Sequence, residues 1–135
     1  MLFKFLYKDA DMKMLVLLLF GITACTSSIS LKVGWVERSG LNHATASYTT
    51  FSGAQRRQVD VAAGQTLTLS FAVTVNEGTL TLRILDPDNN IEWQRAFNGD
   101  DADLVEVHVD SGGAYKIAVI GQQTGGSFDL NWQVQ

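Results

Sequence analysis

Residues 65–85 read QTLTLSFAVTVNEGTLTLRIL. Leu67, Leu69, Phe71, Val73 and Val75 fall on alternate positions against Thr66, Thr68, Ser70, Ala72 and Thr74. That period of two places the apolar side chains on one face of a strand and the polar ones on the other. Asn76-Glu77-Gly78 then interrupts the pattern with residues suited to a tight hairpin turn. Leu80, Leu82 and Ile84 resume it against Thr79, Thr81 and Arg83. The expectation is two antiparallel strands joined by a hairpin, each with one buried face.

The same alternation extends outward in both directions. Downstream, Asp86-Pro87-Asp88-Asn89-Asn90 is a turn by its chemistry, since proline presets φ and Asx side chains bond the nearby backbone. Strands are expected around Ile91, Trp93 and Phe97, at Val105, Val107 and Val109, at Tyr115, Ile117 and Val119, and at Phe128, Leu130, Trp132 and Val134. Residues 98–101 read as a loop, Ser111-Gly112-Gly113 as a turn, and 121–126 as a longer loop. Upstream, strands are expected at 31–36, at 44–51 before a break at Ser52-Gly53, and at 55–61 before the turn at Ala63-Gly64. Eight or nine short strands, each wet on one side, predict an all-β domain over residues 31–135. Its form should be a two-sheet antiparallel β-sandwich of jelly-roll kind.

Four stretches carry a likeness to a known family. They are Ala63-Gly64-Gln65-Thr66-Leu67, residues 82–88 (LRILDPD), residues 113–119 (GAYKIAV) and Gly126-Ser127-Phe128-Asp129-Leu130. In these the chain resembles the bacterial pre-peptidase C-terminal domain, a small β-sandwich often appended to secreted peptidases. It departs from that pattern at Asn76-Glu77-Gly78-Thr79, where the family has an Asp-rich segment, and at Asn89 and Asn90, where the family prefers glycine. The resemblance implies a non-catalytic accessory or binding module.

Ahead of the domain stands a leader. Lys13, the apolar run Leu15 to Phe20 and the small residues Thr23 and Ala24 precede Cys25, the single cysteine. A basic start, short apolar core and small-residue cleavage site mark a secretory signal. Ile22-Thr23-Ala24-Cys25 resembles the bacterial lipobox, which implies cleavage between Ala24 and Cys25 and acylation of the Cys25 thiol. A membrane span needs about 20 apolar residues, twice what Leu15–Ala24 supplies, and a core helix would show a polar stripe that is missing from Leu15–Phe20. Asp9 and Asp11 do not belong in a basic leader, so Met12 reads as the start. The expected organisation is a helical signal peptide over 1–24, a lipidated tether over 25–30 and the sandwich over 31–135. The lipid would hold the domain in the cell envelope. With Thr26 after the cysteine, that means the outer membrane of a two-membrane host, and otherwise the outer face of the cell membrane.

Charge and cysteine count exclude several classes. Ten basic residues against 14 acidic give a formal charge of −4, and no basic stripe suits nucleic acid. With Cys25 acylated, neither a disulfide nor a thiolate zinc site can form. No cofactor is expected.

Asp86 and Asp88 with Asn90 resemble the start of a calcium loop. Ile91 and Phe97, however, stand where an EF-hand loop needs glycine and glutamate. Asp100, Asp101 and Asp103 offer further hard oxygens at generic spacing. His43 and His108 are the two histidines, and no nucleophile elbow accompanies them. Trp35, Trp93 and Trp132 could stack on sugars, yet each is in phase with aliphatic neighbours and reads as core. The expected function is a membrane-anchored, non-catalytic binding module for an exported protein or envelope polymer. Carbohydrate binding is one alternative. Inhibition of an exported hydrolase, through a loop at 98–103 or 121–126, is another.

Overall fold

The computed structural model describes residues 30–135; the leader, Ala24 and Cys25 lie outside the described residues. Seven antiparallel strands follow: β1 (Leu31–Val33), β2 (Val36–Ser39), β3 (His43–Val61), β4 (Thr66–Leu85), β5 (Ile91–Phe97), β6 (Asp101–His108) and β7 (Gly113–Val134). β7 is central and pairs with β3 on one side and β4 on the other. β4 carries β6 on its first half and β5 on its second. β2 and β1 border β3.

The all-β expectation holds, but the strands are fewer and longer. β3, β4 and β7 run 19, 20 and 22 residues. Asn76-Glu77-Gly78 is not a hairpin. β4 passes through it without reversing, because β7 pairs with it on both sides, from Leu67↔Val134 to Leu85↔Lys116. Ser52-Gly53 likewise lies inside β3 and residues 121–126 inside β7. The three interruptions sit side by side and form one crease, across which the sheet folds into the two layers of a sandwich.

Each long strand inserts one extra residue at the crease. Register slips between Tyr48 and Phe51 in β3 and between Val75 and Thr79 in β4, against residues 121–126 of β7. A single inserted residue flips side-chain parity, and a bulge bends the strand that carries it. Buried positions accordingly switch from even to odd in β3 (Ala44, Ala46, Tyr48, then Phe51, Val59, Val61). In β4 they switch from odd to even (Leu67 to Val75, then Leu80, Leu82, Ile84). The bend and the flip cancel, so the same face stays inward. Leu67 and Leu69 of one layer join Leu82, Ile84 and Ile117 of the other in a single core.

Residues 31–36 are not one strand. Gly34, at φ 65°, separates β1 from β2 in a conformation that glycine adopts without strain. β6 begins at Asp101, so the expected loop at 98–101 shrinks to a turn.

Candidate functional site

The sandwich has a creased end and an open end. At the open end β3 starts and finishes, β7 finishes, and the turn before β3 projects Leu41, 95% exposed. Between them lies an open cleft of about 670 Å³, within the range of small-ligand sites. Val59, Val134 and the edge of buried Trp132 line it together with Leu41. Its polar lining is Asn42, Gln58, Asp60, Gln133 and Gln135. Local structure fixes these groups. The Trp132 amide donates to the Asn42 carbonyl at 3.0 Å, which pins the Leu41–Asn42 turn to the end of β7. Gln58 Nε2 donates to Asp60 Oδ1 at 3.2 Å, orienting both along β3. Gln135 exchanges backbone hydrogen bonds with Thr66, tying the last residue to β4.

Four side-chain amides and one carboxylate around an apolar patch can donate and accept hydrogen bonds at several points. They carry no positive charge. A neutral ligand with many hydroxyls matches that chemistry, because an amide can give one hydrogen bond and receive another from neighbouring hydroxyls. A shallower groove of about 390 Å³ lies on the outer face of the layer that holds β2, with Arg38 and Asp129 across Thr45 and Ser127.

The acidic residues singled out in the sequence are dispersed. Asp86 Oδ1 accepts the amides of Asp88 and Asn90 at 2.9 and 2.8 Å, and Oδ2 accepts the Asn90 side-chain amide at 3.0 Å. These bonds, that from the Asn90 backbone foremost, hold the pKa of its carboxyl below the usual carboxylate value. The Asp86 carboxylate caps its own turn, in which Asn89 takes φ 65°. Asp88 contributes its amide to that turn. Asp100 Oδ1 accepts the Val75 amide at the crease. Asp101 and Asp103 both face Arg95, at 3.9 and 3.1 Å. The Leu104 amide and Arg95 hold the Asp103 carboxyl below its usual range. Among the described residues no three His, Cys, Asp or Glu side chains converge as metal ligands.

The histidines are separate as well. His43 opens β3, while His108 ends β6 with Nε2 4.0 Å from Asp110. Trp132 is core, as expected; Trp35 and Trp93 are only partly buried against it. Trp35 stacks on Tyr48 with centroids 5.4 Å apart. Both segments expected to enter a hydrolase cleft keep exposed residues, Gln122 and Gln123 in one and residues 98–103 in the other. Gly121, Thr124 and Gly125 are buried in the crease, and the 98–100 turn is bonded to β4 through Asn98–Thr79 and Asp100–Val75. Sequence reasoning missed the cleft, whose residues come from three distant segments; the only hint was polar Gln58, Asp60, Gln133 and Gln135 alternating near strand ends.

The described residues form an antiparallel β-sandwich with a cleft at its open end. No protein-family model matches the chain, and no curated protein matches it in sequence. Among solved structures the chain is similar in fold to a CBM4 carbohydrate-binding module, with a TM-score of 0.55 and 13% identity over 83% of this chain and 81% of that one. It is also similar to part of the enzymatically active domain of bacteriophage CBA120 tailspike protein 4. There the TM-score is 0.50 at 14% identity, covering 81% of this chain and 19% of that one.

Proposed function

We propose that this chain is a non-catalytic binding module, anchored in the cell envelope by acylated Cys25, whose open-end cleft holds a neutral, hydroxyl-rich polymer of the carbohydrate class. One observation carries the ligand reading: Asn42, Gln58, Gln133 and Gln135 converge with Asp60 around Leu41, Val59 and Val134. Amides pair with hydroxyls, and aliphatic side chains cover the C–H faces of sugar rings. The cleft lacks the cations that a phosphate or an acidic polymer would require. The anchor reading is supported by the leader sequence, and the accessory role by the resemblance to the pre-peptidase C-terminal domain.

Binding to purified peptidoglycan and to neutral polysaccharides tests the ligand. Gln58→Ala combined with Gln133→Ala should weaken retention at least tenfold, while Gln94→Ala on the opposite side leaves it unchanged. Equal binding by all three proteins, each with an unaltered melting temperature, would remove the cleft from consideration. For the anchor, Cys25→Ala should move the protein from the membrane fraction to the soluble one and abolish incorporation of labelled fatty acid.

A further inference from the structure

We infer that, when the chain is held through Cys25, the β1 corner of the crease lies on the lipid surface and the cleft points away from it; this rests on the acylation proposed above. Leu31, Val33 and Val36 are 50%, 46% and 62% exposed. Their partners across the ladder are Ser52, Thr50 and Ser47, so all three stand on the outer face of one sheet corner. The inward position of β1 is taken by Lys32, whose ammonium lies 4.4 Å from the centroid of the Trp35 ring. Lys32 is itself exposed, but it stands on the Trp35 side of β1, so the flanking aliphatics stand on the other. The other exposed large apolar side chains, Leu41, Ile91 and Leu104, stand apart on different elements.

The length of the tether says what covers this corner. Ser30 packs beside Gly53 at the crease, and it lies five residues along the chain from the acylation site. Fully extended, five residues reach at most about 18 Å. β1 therefore cannot leave the neighbourhood of the bilayer to which Cys25 is fixed. Aliphatic side chains kept that close to a lipid surface gain by leaving water for it. Glu77 and Asp100 also belong to the creased end, but they lie on the far side of β7. The contact is thus a corner and not the whole crease. Along β3, Phe51 at the crease lies eight residue steps from His43 at the cleft end, or about 26 Å of strand. The cleft stands off the membrane by that distance.

The test uses the full acylated chain in vesicles of phosphatidylethanolamine and phosphatidylglycerol containing a spin-labelled lipid. With Cys25 blocked by its lipid, one introduced cysteine is the only free thiol. An environment-sensitive dye at Leu31→Cys or Val33→Cys should lose most of its emission to the quencher, while dye at Ile91→Cys or Gln58→Cys keeps it. Flotation of each protein with the vesicles is measured alongside. Proteins that float yet show equal emission at all four positions would overturn the orientation and leave the anchor intact. Proteins that fail to float would overturn the anchor and the orientation with it.

Discussion

Arg57, on the inward side of β3, donates to the carboxylate of Glu37 on β2, and this ion pair joins the two layers across one open edge of the sandwich. It lies over a small apolar pocket lined by Ile117, Val119, Phe128 and Leu130. Glu37 also accepts the Trp35 indole N–H at 3.2 Å. The opposite edge is closed in the same manner, by Arg95 of β5 facing Asp101 and Asp103 of β6, with its guanidinium 5.6 Å from the Phe71 ring centroid. Both devices place a charge where an apolar side chain would be half wet, and they leave each long stem to cover the core.

The first edge should contribute little net free energy. Both partners are about one-third exposed, so a double-mutant cycle of Arg57→Ala and Glu37→Ala should give a coupling of about 0.2–1 kcal/mol, shrinking with added salt. Urea unfolding at low and high salt measures it. A salt-independent coupling well above that range would mean the pair is shielded from water.

Gly126 should tolerate no side chain. It has φ 145°, and a Cβ there would sit 1.8 Å from the Thr74 carbonyl oxygen of the adjacent strand. Gly126→Ala should cost about 3 kcal/mol or more, from backbone strain and overpacking together. Gly99, with open space around it, should accept alanine within about 0.5 kcal/mol. Denaturant midpoints of the two variants give the comparison, and near-equal values would be inconsistent with the crease as described.

The acid limb of stability should depend on Asp86. Its carboxyl is held below the model-peptide value of 3.8 by hydrogen bonds to the ionised form. The stabilisation is thus present above that value and fades as pH falls through the lower folded-state one. Asp86→Asn keeps the acceptor oxygen without the charge, so its stability should fall less steeply below about pH 4. Parallel profiles for the two proteins would show that the turn does not depend on ionisation.

On the alkaline side Tyr48 is the group to watch. Burial pushes its hydroxyl up to about 12, so stability should be intact below the ordinary value of 10.0 and lost as pH climbs from there through about 12. Ultraviolet difference titration of Tyr48→Phe should lack that late-ionising group, and its thermal stability should decline less between those limits.

Alternation of apolar and polar residues from Leu67 to Val75 and from Leu80 to Ile84 was sufficient to name strands, faces and core, because side-chain alternation is a local property of extended backbone. Asp86-Pro87-Asp88 was equally legible as a turn, since its hydrogen bonds span only four residues. Whether Asn76-Glu77-Gly78 reverses the chain or merely bends it is another matter. The same three residues can do either, and the outcome depends on the segments of β7 that pair on both sides of them. The cleft and the edge ion pairs share that dependence: Gln58 meets Gln133, and Arg57 meets Glu37, only after long-range pairing has folded the sheet over. Sequence alone determined which side of β4 and β7 is dry, whereas the apolar phase of β1 proved to face out. Tertiary structure decided where the sheet creases and what its open end holds, because those contacts join residues far apart in the chain.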